Sequence, residues 1–207
     1  ELPENLTKDP YTINSYYRMT KACNGDVIAV TNADIKGKIY VGGIISKASG
    51  PLTNLRFSGS VEGLKYYDDK ASGSSDPKKY LGGIVSESYH NITDCHFEGK
   101  VYSNEANVVD QYFGGITGRT WDGAAISNCT IKNFELRGEQ FVGGIVGYAS
   151  LSVIENAYAT GNIEIRGNKT GGIVGEYLVT DNGSEGVICI NNVISKVNIL
   201  TYTDVAG

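Results

Sequence analysis

The chain has 207 residues, 41% of them hydrophobic and 20% charged, which is enough for one large domain or two small ones around a sizeable core. Its 18 basic and 23 acidic residues leave a net charge of −5 and a pI near 5.1, with neither sign gathered into a block. That balance argues against a nucleic-acid partner, because phosphate binding needs a basic stripe, and no apolar run reaches the roughly 18 residues of a membrane span.

With 27 Gly, 14 Tyr, 4 Pro and a single Met, the composition favours strands and tight turns over helices. The polar start, Glu1 to Pro10, lacks the basic and apolar regions of a signal peptide and is expected to open an excised mature region; the closing "TDVAG" is expected to be a truncated end. Asn14 to Asn24, "NSYYRMTKACN", is the one expected helix. Asn14 or Ser15 can cap it, Tyr16, Met19 and Cys23 share one face, and Gly25 stops it. It is expected to cap a stack that begins with the strand "DVIAVTNADI".

From there one signature recurs five times: Gly42-Gly43-Ile44, Gly82-Gly83-Ile84, Gly114-Gly115-Ile116, Gly143-Gly144-Ile145 and Gly171-Gly172-Ile173. Successive first glycines lie 40, 32, 29 and 28 residues apart. The long first interval holds the hydrophilic stretch Leu64 to Lys79, "LKYYDDKASGSSDPKK", expected to be a loop inserted into one coil. A second alignment places Asn54, Asp94, Asn128, Asn156 and Asn192 in one column. Leu52, Ile92, Ile126, Ile154 and Ile190 stand two positions before it, and Phe57, Phe97, Ile131, Ala159 and Ser195 three after it. The intervening Arg56, His96, Thr130, Tyr158 and Ile194 are mostly polar, so the segment alternates as a strand with that column outward.

The Asx position reads as a corner, since Asn and Asp tolerate a left-handed backbone, and their side chains can form a ladder along the stack. The Gly-Gly pair reads as a second bend, needed where a Cβ would clash or φ is positive. One such unit has too little apolar surface to stand alone, and stacking parallel coils about 4.8 Å apart supplies the rest. The expected fold is all-β: a parallel β-helix, or β-solenoid, of five coils over residues 1–207. Residues 1–38 form the cap and first strand, 39–200 the repeats and 201–207 the truncated end. A propeller is disfavoured because its blades need about 40 to 45 residues.

Two residues before each signature stand Tyr40, Tyr80, Tyr112, Phe141 and then Lys169. Because Val41, Leu81, Phe113 and Val142 follow as core candidates, the rings are expected to point outward as a stacked stripe. Such a stripe suits the apolar face of a sugar, so Tyr40, Tyr80, Tyr112 and Phe141, with Tyr66 and Tyr67 of the loop, are the candidate ligand-binding residues. The alternative, favoured when only spacing is known, is that the rings stack on one another to stabilise the coil edge.

The remaining chemistry is sparse. His90 and His96 lack a metal-ligand spacing, and no P-loop, dinucleotide fingerprint or nucleophile elbow occurs, so no cofactor or metal is expected. Cys95 and Cys129 share an inward column, either as a disulfide or reactive pair or, as the burial preference of free Cys favours, as small core hydrophobes. Asp68, Asp69, Asp76, Asp110 and Asp122 are the acids a polysaccharide-degrading β-helix would need, but a solvated-loop role is favoured. Asp181 and Glu185 in "TDNGSEG" lack a full calcium-loop spacing.

Laid out in these columns, the units resemble the GLUG motif, a short repeat with a G-L-U-G core, U being hydrophobic, followed by I-x-N-x-x-x-x-G. Gly144-Ile145-Val146-Gly147 with "VIENAYATGNIEIRG" matches best and Gly172-Ile173-Val174-Gly175 nearly as well; Ser46 and Ser86 depart from the last Gly, and Thr117 from the U position. The resemblance covers roughly Ile39 to Leu200. Such repeats occur in surface and secreted bacterial proteins, including adhesin-like proteins and the non-catalytic N-terminal region of immunoglobulin A-specific metalloproteases. It therefore implies an extracellular or cell-surface location, membrane association only peripheral and through flanking segments, and a scaffold with no catalytic residues. The expected function is a non-enzymatic, adhesin-like module for a host glycan or protein; a polysaccharide-degrading enzyme or a pure spacer is the alternative.

Overall fold

The computed structural model describes residues 27–64, 78–103, 111–121, 123–166, 169–178, 180–181, 184–185 and 189–202. The expected capping helix and most of the expected Leu64 to Lys79 loop, including Tyr66 and Tyr67, lie outside the described residues, as do Asp68, Asp69, Asp76, Asp110 and Asp122.

The chain winds as a parallel β-helix. Four parallel sheets run the length of the stack, and each coil gives one strand to each. Sheet 1 holds the six long strands Ile28–Gly37, Leu55–Gly63, His96–Ser103, Thr130–Gly138, Tyr158–Ile165 and Ile194–Thr201. Sheet 2 holds Tyr40–Gly42, Lys79–Gly82, Gln111–Gly114, Val142–Gly143 and Thr170–Gly171. Sheet 3 holds Ile45–Ala48, Val85–Ser88, Thr117–Thr120, Val146–Ser150 and Val174–Leu178, and sheet 4 the short strands Leu52–Thr53, Ile92–Thr93, Ala125–Ser127, Val153–Glu155 and Cys189–Asn191. A small antiparallel pair, Thr180–Asp181 with Ser184–Glu185, interrupts the last coil between sheets 3 and 4.

The register follows the columns of the sequence. Leu52, Ile92, Ile126, Ile154 and Ile190 pair successively, as do Phe57, Phe97, Ile131, Ala159 and Ser195. The five signature isoleucines lie one above another: the N–H of Ile44 donates to the carbonyl of Ile84 (3.0 Å), Ile84 to Ile116 (3.1 Å), Ile116 to Ile145 (2.9 Å) and Ile145 to Ile173 (2.9 Å). Ile84, Ile116 and Ile145 are fully buried, so each contributes roughly 1.5–3 kcal/mol of apolar burial that an isolated coil could not supply. Their neighbours Val41, Leu81, Phe113 and Val142, and Leu55, Phe57, Cys95, Phe97, Cys129 and Ile131, complete one continuous core.

Both corners form for identifiable reasons. Asn54, Asp94, Asn128, Asn156 and Asn192 all have φ between 48° and 57°, the left-handed conformation that Asx side chains tolerate best among residues with a Cβ. One amide rung of the expected ladder is present, Asn192 Nδ2 donating to Asn156 Oδ1 at 2.7 Å. The Gly-Gly corner has the other cause that the sequence allowed, close approach. None of these glycines has a positive φ. A Cβ on the first glycine would lie 1.9–2.1 Å from the carbonyl oxygen three residues on, in every coil. A Cβ on the second would strike the second glycine's carbonyl in the next coil, at 2.1 Å for Gly43, 2.2 Å for Gly83 and 2.4 Å for Gly115. At Gly83 it would also strike the Phe97 ring at 2.3 Å. The backbone therefore dips toward the core at this corner, and the outer wall is indented there.

Because the obstructing atoms at Gly83 are backbone and a buried ring, Gly83→Ala is expected to cost about 3 kcal/mol or more. Gly50, beside which an added Cβ meets nothing within 4 Å, provides the control: Gly50→Ala should stay within about 0.5 kcal/mol. Equilibrium urea unfolding of the two variants, each against wild type, measures both differences.

Candidate binding face

The indentation decides where the aromatic column goes. Tyr40, Tyr80 and Tyr112 pair in register on sheet 2 and point away from the main core. Their rings stack at 4.8 Å (Tyr40 on Tyr80, 4° between planes) and 5.0 Å (Tyr80 on Tyr112, 9°), and Phe141 follows Tyr112 at 4.6 Å and 15°. These spacings are the strand repeat itself, so the backbone sets the ladder.

The expected open stripe is corrected by burial. Tyr80 and Tyr112 are each 5% exposed and Phe141 7%, while Tyr40 is half-buried, so the rings form a second, smaller core outside the first. The reason is the notch at the Gly-Gly corner, which folds the outer face of sheet 3 over the rings. The outward column of sheet 3 is Lys47, Glu87, Arg119, Tyr148 and Glu176, paired across successive coils. Lys47 Nζ sits 3.6 Å from the Tyr40 ring centre, Tyr148 meets Tyr112 and Phe141 edge-on at 5.6 and 6.1 Å, and Lys169 Nζ lies 4.6 Å from Phe141. Burial pushes the Tyr80 phenol up, against the opposing pull of Arg119. Of the sequence-stated candidates, the structure thus joins Tyr40, Tyr80, Tyr112 and Phe141 in one ladder whose ring faces are spent on neighbours.

Arg119 links this ladder to a second aromatic pair. Its guanidinium lies 5.5 Å from the Tyr112 ring centre, 4.8 Å from Tyr148 and 3.2 Å from Trp121, and one of its nitrogens donates to the Tyr80 hydroxyl at 3.4 Å. Trp121 is covered on one face by Arg119 and stacked on the other by Tyr89, at 6.2 Å and 7°. Its indole Nε1 donates to Glu87 Oε1 at 2.7 Å, and Glu87 Oε2 faces Lys47 Nζ at 3.1 Å. Burial alone would lower the Lys47 pKa, but the Tyr40 hydroxyl and the Glu87 carboxylate together hold it above the usual lysine value. Tyr89 remains 43% exposed. Partial burial and, after it, the nearby Glu87 carboxylate raise its phenol.

Tyr89, Trp121, Glu87 and Arg119 were missed by reading the sequence for uniform columns. Tyr89 and Trp121 both stand seven positions after the first glycine of their units, but Ser49, Ser150 and Leu178 occupy that place elsewhere, so the column carries no repeated signal.

The other candidates resolve simply. Cys95 and Cys129 are buried in the core as free thiols, each donating to a local carbonyl, Thr93 at 3.3 Å and Ser127 at 3.3 Å. The adjacent Cys95 sulfur and burial push the Cys129 thiol well up. His90 is exposed and His96 half-buried, the latter with its pKa lowered by burial and then by Lys132. Among the described residues no three His, Cys, Asp or Glu side chains converge as a metal site, and no helix is long and apolar enough to cross a membrane. On the outer face of sheet 1, a one-residue bulge at Asn133 (φ 48°) opens a shallow cleft of about 390 Å³. Its polar walls already pair with one another or nearby, Lys100 with Glu135, Asn133 with Glu98 and Asn198 with Asn162.

A family model described as the GLUG motif matches residues 142–164. The matched stretch is one turn of the solenoid: the sheet 2, 3 and 4 strands from Val142 to Glu155 and nearly all of Tyr158–Ile165 on sheet 1. Residues 142–164 thus carry a GLUG motif, and its strands stand in register with those of the coils above and below. A search of curated proteins finds no match to the chain.

Two measurements check this description. Arg119→Ala, which removes a half-buried cation from four ring contacts, is expected to cost about 1–2 kcal/mol in urea unfolding, and Arg119→Lys, lacking the flat guanidinium, should recover only part of it. Native protein treated with iodoacetamide should remain unlabelled at Cys95 and Cys129 by peptide mass mapping, with both labelled once the chain is unfolded.

Proposed function

We propose that the protein is a non-enzymatic bacterial extracellular or cell-surface repeat module, an adhesin-like scaffold that presents a side face to a host glycan or protein. The observation that carries this reading is a division between inside and outside. The inward signature position is isoleucine in every coil, whereas the outward column of sheet 3 reads Lys47, Glu87, Arg119, Tyr148 and Glu176, charged and aromatic groups that change from one coil to the next. Stacking constrains the first set; nothing in the stacking requires the second to vary as it does, and a rigid wall of varied side chains spaced by the strand repeat is suited to recognition.

The candidate rings from the sequence keep a place in this reading as the support of that wall. Tyr40, Tyr80, Tyr112 and Phe141 hold the sheet 3 side chains from beneath, and a ligand meets the covering groups. Membrane association, in this reading, is peripheral and supplied by flanking segments, and no nucleic acid takes part.

A panel of polysaccharides, mucins and matrix proteins, screened by biolayer interferometry against the immobilised chain, is expected to yield saturable binding by at least one class. Absence of any saturable partner leaves the pure spacer. Turnover of a uronate polymer, abolished by Asp68→Asn or Asp110→Asn, would establish the polysaccharide-degrading enzyme instead.

A further inference from the structure

We propose that Tyr89, backed by Trp121, is the stacking platform of a binding site for a neutral pyranose sugar; this rests on the binding-module reading above and names its ligand class and place. The platform is a corner feature. Tyr89 and Trp121 follow the sheet 3 strands Val85–Ser88 and Thr117–Thr120, so their rings lie side by side along the stack axis. One face of the pair is closed by Arg119 on Trp121. On the other side, toward the first coil, the neighbouring backbone carries small residues: Ala48 pairs with Ser88, which brings the exposed Ser49 and the half-buried Gly50 next to Tyr89, with Lys47 and Tyr40 within electrostatic reach of its hydroxyl, and among the described residues nothing stands within 4 Å of a Cβ added at Gly50. The result is a ring 43% exposed with a step below it.

The rings are held before any ligand arrives. Trp121 is pinned at Nε1 by Glu87, Glu87 is itself pinned by Lys47, and Arg119 clamps the far face. Little side-chain entropy is then lost on binding, the condition under which a single stacking contact gives useful affinity. A flat ring with one open face complements the axial C–H face of a pyranose. Hydrogen-bonding groups stand at the rim: His90 and Asn91 are exposed, and Asn91 Oδ1 accepts from the Ala125 N–H at 2.9 Å, which leaves its amide nitrogen to a sugar hydroxyl. Among the described residues no cationic nitrogen lies over the Tyr89 ring: Lys47 is paired with Glu87 and the Arg119 guanidinium lies on Trp121, so nothing is placed there to take a carboxylate and a neutral sugar fits better than an anionic one.

Trp121 is the single tryptophan of the chain, so its emission reports on this site directly. The whole chain is titrated with methyl β-galactoside, lactose, cellotetraose and, as the anionic comparison, a trigalacturonate. A saturable change in Trp121 emission with at least one neutral sugar is expected. Tyr89→Ala should weaken that binding by about tenfold or more, Tyr89→Phe should keep it within about twofold, and Tyr158→Ala on sheet 1 should leave it unchanged. An unaltered urea midpoint for Tyr89→Ala separates loss of the platform from loss of the fold. Equal sugar affinity in Tyr89→Ala and wild type overturns the site while leaving a binding module, as does a panel ligand that is purely protein with no sugar response. Tighter binding of the galacturonate overturns the neutral class. Absence of every ligand, protein and glycan alike, sinks the site and the module together.

Discussion

The structure depends on one close approach. At each Gly-Gly corner the chain comes so near to itself and to the next coil that a single methyl group would have to occupy the place of a carbonyl oxygen. This is the point at which the hydrogen-bonded isoleucines can stand in file, because the carbonyls of Ile84, Ile116, Ile145 and Ile173 each accept from two successive N–H groups of the preceding coil. The same approach indents the wall. A rounder cross-section would have left the tyrosine column in solvent; the indented one makes it a second interior, and that interior in turn fixes Arg119, Trp121 and Tyr89. The path from two glycines to a presented aromatic ring is therefore a continuous mechanical one.

The core was legible in the sequence, because strand stacking converts spacing along the chain directly into contact. Leu52 through Ile190 and Phe57 through Ser195 could be placed over one another from the repeat alone, as could the left-handed Asx corner, since few other residue types adopt that backbone at low cost. The burial of Tyr80 and Tyr112 was not legible. Alternation tells whether a side chain leaves the sheet toward the core or away from it, but not whether the wall beyond is convex or concave. That curvature arises between two sheets, from atoms some five residues apart in each coil, and no periodicity records it. Trp121 and Tyr89 were hidden for a different reason: they break the repeat, and a search for repetition discards what breaks it.

The two ends of the stack are unequal. Going from Leu55–Gly63 toward Ile194–Thr201, the inward position shrinks from Phe57 and Phe97 to Ile131, Ala159 and Ser195, while Ile194, Ile199 and Leu200 are exposed on the last long strand. The best-buried coils are the second, third and fourth, whose signature isoleucines Ile84, Ile116 and Ile145 are fully covered and whose outer rings Tyr80, Tyr112 and Phe141 stack in file.

One residue at the opposite corner carries a consequence for how such a molecule can change over generations. Lys79 is buried, and its ammonium reaches the carbonyl of Leu64 at 2.8 Å, fastening together the two flanks of a long intervening run; Gly63 pairs there with Ser103, and Lys79 with Gln111. With both roots clasped at one spot, lengthening what lies between them adds only the logarithmic entropy of a larger closed ring, roughly 0.6 kcal/mol for each doubling. The difference between the first two glycine intervals is absorbed at this seam, and new sequence can be grafted there without any rung losing its neighbour.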